Sequence, residues 1–219
     1  MGALKTAVVP VTPFQQNCTL FWDAETKAGV VVDPGGDVER ITAAIAREGI
    51  DIEAIWLTHG HLDHAAGAPE LCDVLDRRPG RAPLPIVGPD RRDEPLLANL
   101  RAQGEMFGLH GLANVVPDRW LSEGDTLAVG EHMFEVLHCP GHTPGHVVFF
   151  CREQRFAQVG DVLFSGSVGR TDFPYGNHAA LIEAIRSKLL PLGDDVAFIC
   201  GHGPGSSIGA ERRSNPFIR

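Results

Sequence analysis

Short apolar, β-type runs alternate with polar turns along the first third of the chain. Residues 6–11, 17–22 and 29–32 are rich in Val, Thr, Leu and Phe, types that fit a pleated, half-buried surface, so they predict strands. Asp33-Pro34-Gly35-Gly36 is turn chemistry. Asp37 is placed to cap a helix running through Glu48, with Ile41 and Ile45 on one face and Gly49 as its stop. Residues 54–57 are a continuous apolar run of strand length, expected to be buried. A helix over 65–76 follows, with Pro69 tolerated because it falls near the first turn.

Residues 77–85 read as a Pro/Gly-rich connector, 85–87 as a short strand and 91–103 as a helical segment. Residues 104–117 are interrupted by glycine and point to no single element. From 120 to 158 come four strand-like runs, punctuated by Gly124-Asp125, Gly130-Glu131 and the turns at 140–145 and 152–154. The glycine-rich stretch 166–177 predicts an ordered loop. Asn177 then caps a helix through Leu190, with Leu181, Ile185 and Leu189 on one face. Residues 196–199 form a last strand, ending at Cys200-Gly201-His202. Two batches of strands, each followed by helices, predict two packed sheets with helices outside, a four-layer sandwich. With no repeat and no linker, one domain over 1–219 is expected.

Hydrophobic residues make up 43% and charged residues 21% of the 219 positions, which fits a soluble globular protein. The net charge of −9 and the lack of any Lys/Arg-rich run argue against a nucleic-acid partner, which demands a basic footprint. The five cysteines (Cys18, Cys72, Cys139, Cys151 and Cys200) are odd in number and form no C-x-x-C pair. They read as small buried hydrophobes in a reducing compartment, with Cys139 and Cys200 close to the metal-ligand candidates below. Neither a secretory h-region nor a membrane-length apolar stretch is visible, so a cytoplasmic protein without a membrane partner is expected.

The chemistry concentrates in Thr58-His59-Gly60-His61-Leu62-Asp63-His64, directly after an apolar run. Imidazole and carboxylate together suit zinc, iron or manganese. Four such groups on one loop are too many for one ion with an open position, so two ions side by side are the economical reading. Three further candidates, His142, Asp161 and His202, each follow a glycine just past a strand-like run. Glycine there would let the backbone turn sharply and project the ligand off the sheet edge.

The ordered set H-x-H-x-D-H, then His142, Asp161 and His202, resembles the metallo-β-lactamase superfamily over essentially the whole chain. The resemblance implies an α/β (α+β) fold, a four-layer αββα sandwich of the metallo-β-lactamase type. It also implies two divalent ions, zinc first and iron or manganese as alternatives. One would be held by His59, His61 and His142, the other by Asp63, His64 and His202, with Asp161 bridging and Asp33 supporting the histidine loop from behind. Asp63 and Asp161 would serve catalysis by a hydroxide shared between the ions. No G-x-S-x-G serine motif is present.

Within the superfamily the chain is most similar to short, single-domain glyoxalase II-type thioester hydrolases. The similarity rests on Gln16-Asn17-Cys18, Asp33-Pro34-Gly35, residues 139–146, Gly169-Arg170-Thr171-Asp172-Phe173-Pro174 and Gly201-His202-Gly203-Pro204. It implies a small glutathione-linked thioester such as S-lactoylglutathione. Arg170 is the candidate for its carboxylate, and Tyr175 and His178 are further loop candidates for substrate contact. The extra C-terminal helical domain of larger glyoxalase II enzymes has no counterpart in the residues after His202. The alternative in the same neighbourhood is a persulfide dioxygenase with a single iron on His59, His142 and Asp161, acting on glutathione persulfide. A lactonase would place a tyrosine where Phe164 stands.

Overall fold

The computed structural model describes residues 2–76 and 83–218; most of the connector expected over 77–85 lies outside them. The first half contains β1 (Leu4–Val11), β2 (Gln16–Asp23), β3 (Ala28–Val32), α1 (Val38–Glu48), β4 (Asp51–Trp56), α2 (Leu62–Ala65), α3 (Ala68–Leu75) and β5 (Ile86–Asp90). A 3-10 turn (Arg91–Asp93) leads into α4 (Glu94–Leu97), α5 (Leu100–Met106) and β6 (Arg119–Leu121). The second half begins with β7 (Thr126–Val129), β8 (His132–His138), β9 (Val147–Cys151), β10 (Phe156–Gln158), β11 (Leu163–Phe164) and β12 (Ser167–Val168). It closes with α6 (His178–Ala184), which continues through a π turn (Ile185–Leu189) and a 3-10 turn (Leu190–Leu192), then β13 (Ala197–Ile199), β14 (Ser206–Ser207) and α7 (Ile208–Ser214).

Strands β1 to β6 form one sheet in sequence order, and β14-β13-β10-β9-β8-β7 form the other. Period-2 alternation assigns each strand two faces. On β3, Val30 and Val32 point between the sheets while Val31 faces the helices; on β9, Val147 and Phe149 point inward while Val148 and Phe150 point out. Phe21, Trp56, Phe134 and Phe149 fill the layer between the sheets, with ring centroids 5.2 to 5.4 Å apart for three of the pairs. Outside, Ile41 and Ile45 of α1 close over the first sheet, and Leu181, Ile185 and Leu189 close over the second. The result is the expected four-layer αββα sandwich. Strands buried on both faces explain why these runs read as continuously apolar.

Several local expectations need correction. Asp37 precedes α1, but its side chain caps nothing; it sits in the left-handed region and accepts the Thr12 N–H at 2.9 Å instead. The helix expected over 65–76 begins only at Ala68, with Ala65 closing the preceding α2. Pro69, in the first turn of α3, has no N–H to bond the Ala65 carbonyl, and Gly67 between them packs against the Pro34 carbonyl and Gly36 so closely that any side chain would collide. The segment 91–103 breaks into three pieces. Pro95 has no N–H to bond the Arg91 carbonyl, so the 3-10 turn and α4 cannot merge into one regular helix. Residues 120–158 hold five strands rather than four, and the loop over 166–177 begins inside the β11–β12 hairpin. Asn177 does cap α6, its Oδ1 accepting the Ala180 N–H at 3.0 Å.

The topology gathers loops at one edge. Parallel β3, β4 and β5 all end there, delivering Asp33, the 58–64 loop and the 90–93 turn. The second sheet brings the β8–β9 loop, the end of β10 and the end of β13 to the same place. Cross-sheet bonds lock the two sets: Val147 N–H to the Thr58 carbonyl at 2.8 Å, and Asn17 N–H to the Gly201 carbonyl at 2.7 Å. The Asn17 side chain adds bonds to the Cys200 and Gly203 carbonyls.

Candidate metal centre

Seven side chains separated by up to 143 positions converge at this edge: His59, His61, Asp63, His64, His142, Asp161 and His202. They fall into two compact triads, His59/His61/His142 and Asp63/His64/His202. In the first, His61 Nδ1 lies 3.1 Å from His59 Nε2 and 3.0 Å from His142 Nε2. In the second, His202 Nε2 lies 3.3 Å from Asp63 Oδ2, and His64 Nε2 lies 3.9 Å from the same oxygen. Asp161 stands between them, with Oδ1 3.4 Å from His64 Nε2 and Oδ2 3.5 and 3.6 Å from His142 and His202 Nε2. Two different backbone devices achieve this. Gly141 and Gly160 hold positive φ (136° and 50°) just before His142 and Asp161. Gly201 instead permits close approach, because a side chain there would run into Asp161 and His64.

The outward ring nitrogens fix the tautomers. A carbonyl can only accept, so His142 Nδ1–H donates to Arg170 O at 2.8 Å and His202 Nδ1–H donates to Phe14 O at 3.2 Å. Asp33 accepts from Thr58 N–H (2.7 Å), Thr58 Oγ1–H (2.6 Å) and His64 Nδ1–H (2.9 Å). Thr58 has thereby spent its proton and accepts from His59 Nδ1 at 3.0 Å. His61 runs the other way round, its Nε2 donating to Tyr175 Oη at 2.8 Å. Five neutral imidazoles would thus present lone pairs inward, each anchored by an outward hydrogen bond, as metal-binding histidines are.

This arrangement fits cations. The His61 lone pair lies 3.1 and 3.0 Å from those of His59 and His142, and such lone pairs repel unless a positive charge lies among them. Among the described residues, His64 Nε2 and Asp161 Oδ1 are buried without a hydrogen-bond partner, although polar atoms so placed are almost always satisfied. Asp33, His59 and His64 form a third compact group, but both Asp33 oxygens are already taken by donors, so Asp33 supports the loop rather than binding an ion.

Charge differs between the halves. Burial, reinforced by neighbouring histidines, holds His59 well below its ordinary pKa, and burial lowers His61 and His142 too. Burial also opposes charge on His64, but Asp161, Asp63 and Asp33 outweigh it and raise His64 to about 9. For Asp63 burial opposes ionisation, yet His64 and His202 hold its carboxyl below the usual range. Cys139 and Cys200 are not donors here. Burial pushes them to about 12 and about 11, and the Cys200 thiol is directed at the His202 and Pro204 carbonyls.

A cleft of about 720 Å³ opens over the cluster. Phe173 and Tyr175 wall the His61–His142 side; Phe14, Phe107 and Phe164 wall the His202 side. Arg170 stands at its mouth, paired with Asp172 through two bonds of 2.7 and 2.8 Å and lying 4.3 Å from the Phe173 ring centroid. Tyr175 lines the cleft and stays protonated, burial and Asp93 raising it to about 12. His178 does not line it: as the first residue of α6, just past its cap, it is turned onto the exposed helix surface.

Two contributors escaped the sequence reading. His146 accepts the Asp161 N–H at 3.0 Å and stacks on His59 at 4.6 Å. Asp93, inside the charged run Arg91-Arg92-Asp93-Glu94, is fully buried and bonded to both histidine loops. A charged run at a helix start reads as solvated surface, so nothing local marked it.

Comparison with known proteins agrees with this geometry. The family model of the metallo-beta-lactamase superfamily matches residues 11–202. The hydroxyacylglutathione hydrolase GloC of Haemophilus influenzae is 45% identical over 212 residues, 96% of each chain. Among solved structures, BLEG-1 B3 metallo-beta-lactamase superposes with a TM-score of 0.86 at 32% identity, covering 98% of this chain and 99% of that one. TTHA1623, solved in a di-iron-bound form, superposes with a TM-score of 0.83 at 35% identity, covering 96% and 99%.

Proposed function

Since the chain belongs to the metallo-beta-lactamase superfamily, we propose that it is a binuclear metallohydrolase cleaving a glutathione thioester such as S-lactoylglutathione. The observation that carries this reading is the pair of triads with Asp161 between them on the floor of a cleft that has a guanidinium at its mouth. His59, His61 and His142 would hold one divalent ion, Asp63, His64 and His202 the other, and Asp161 would reach both. Nitrogen and oxygen donors accept zinc, iron or manganese, and zinc is the first choice. Such ions supply Lewis acidity and a water ionised near neutral pH.

The chain's own residues account for the rest. Asp63, ionised and facing the cleft, orients the attacking water by accepting its hydrogen bond. His61 Nε2–H occupies a lone pair of the Tyr175 oxygen, which leaves the phenolic proton free to donate to the thioester carbonyl as negative charge develops there. Arg170 offers its guanidinium to a glutathione carboxylate, in exchange for Asp172. The aromatic walls exclude bulk water from the acyl group. GloC, whose name specifies a hydroxyacylglutathione, supports the thiol half of the substrate. On this reading residues 1–219 act as one domain in the cytoplasm; no helix among the described residues is long and apolar enough to cross a membrane.

The test pairs two assays on purified, metal-analysed protein. Release of glutathione from S-lactoylglutathione without oxygen uptake on glutathione persulfide is expected. Oxygen consumption with one iron per chain and no thioester cleavage would overturn the proposal.

A further inference from the structure

We propose that Asp93 is a positioning residue that clamps the His59–His61 loop to the His142 loop and thereby sets the geometry of the three-histidine half of the centre. The inference rests on the metal-centre reading above and adds to it a residue outside both triads. Asp93 closes the 3-10 turn after β5, on neither ligand loop. Its Oδ2 accepts the Gly60 N–H at 2.9 Å and the Thr143 Oγ1–H at 2.7 Å, and its Oδ1 accepts the Gly145 N–H at 2.5 Å. Gly60 lies between His59 and His61, and Thr143 directly follows His142, so one carboxylate joins the two loops that carry all three histidines. The Asp90 N–H bonds back to the Gly145 carbonyl at 3.0 Å, making the attachment two-way. Gly145 is pressed so closely on the 90–93 turn that a side chain there would collide with it.

The geometry needs such a clamp. His61 Nδ1 sits 3.1 and 3.0 Å from the inward nitrogens of His59 and His142, and without a cation the His61 and His142 lone pairs push the two loops apart. The outward bonds of His59, His61 and His142 orient each ring, and the Val147 N–H bond to the Thr58 carbonyl joins the two segments only where they leave their strands. Asp93 joins them beside the ligands, at full burial and with three neutral donors. A carboxylate buried without a cationic partner is costly, and burial accordingly raises Asp93 to about 6 despite the three hydrogen bonds. A dication held by the neighbouring histidines would offset that cost.

Zinc titration against a competing chelator tests the clamp, with the step lost in His142→Ala used to identify the three-histidine site. Asp93→Asn conserves size but turns one acceptor into a donor facing a donor. It should weaken that step ten- to hundredfold, the range for outer hydrogen bonds to metal ligands, and leave the other step within about threefold. Thr143→Val removes one of the three donors and should give a smaller loss of the same step. The double variant should lose no more than Asp93→Asn alone, since the two residues share one interaction. If Asp93→Asn does not fold, Thr143→Val alone carries the test. Unchanged zinc affinity in the variants, or equal weakening of both steps, overturns the clamp while the centre stands. Failure of the native protein to take up zinc at either site would overturn the centre and the clamp together.

Discussion

Asp33→Ala probes the support of the histidine loop more sharply than any ligand substitution. The Asp33 carboxylate is fully buried and receives three donors: Thr58 N–H, Thr58 Oγ1–H and His64 Nδ1–H. Each buried donor stranded by its removal costs about 1–3 kcal/mol, so roughly 3–6 kcal/mol is at stake after some relaxation. Asp33 also holds φ at 53°, a conformation that Asn and Asp tolerate and Ala resists. Asp33→Asn keeps the backbone preference and one acceptor, so it should lose about half as much. Against a typical total stability of about 5–15 kcal/mol, the Ala variant would lie near the limit of folding. Urea unfolding of the metal-free proteins reads this as a drop in midpoint at constant m. Metal titration adds a second readout. His64 Nδ1–H loses its acceptor and its tautomer is no longer fixed, so the Asp63/His64/His202 site should weaken ten- to hundredfold in Asp33→Asn. A loss below about 1 kcal/mol in Asp33→Ala would refute the three-donor accounting, and Asn no better than Ala would refute the backbone argument.

Three shorter predictions follow from the same geometry. Phe134→Ala, in the layer between the sheets, should cost about 3–5 kcal/mol while metal stoichiometry stays native; a cost under about 1 kcal/mol would mean that the layer is loosely packed. His64, raised to about 9 in the metal-free fold from 6.5, gives stability fully present below pH 6.5 and lost as pH climbs through about 9. The metal-free urea midpoint should therefore fall over that interval while metal affinity rises because the competing proton leaves; pH-independent behaviour of both would contradict it. Arg170→Ala should raise KM for S-lactoylglutathione by up to about tenfold with kcat nearly unchanged, a modest effect because the guanidinium is exposed and shared with Asp172; an equal fall in kcat would assign it a role in the transition state instead.

The strands and the ligand loop were legible because both are written locally. Runs rich in Val, Thr, Leu and Phe bounded by turn residues locate β1 to β3, and H-x-H-x-D-H needs only six adjacent positions. Constraints imposed by tertiary contact were not legible. Residue 67 has to be glycine because of where Pro34 and Gly36 lie, and no local pattern carries that. Asp93 is the clearest case, since its donors come from 33, 50 and 52 positions away, so only the folded chain shows a clamp in place of a solvated charge. His178 shows the opposite case: proximity to Arg170 in sequence suggested the cleft, whereas the fold places it exposed at the start of α6, outside the residues that line the cleft.

Anomalous diffraction from crystals of the zinc-loaded protein addresses the central assertion most directly. Two peaks are expected, one coordinated by His59, His61 and His142 and the other by Asp63, His64 and His202, with Asp161 bonded to both. A single ion held by His59, His142 and Asp161 alone, or seven donors left without any ion at saturating zinc, would contradict it.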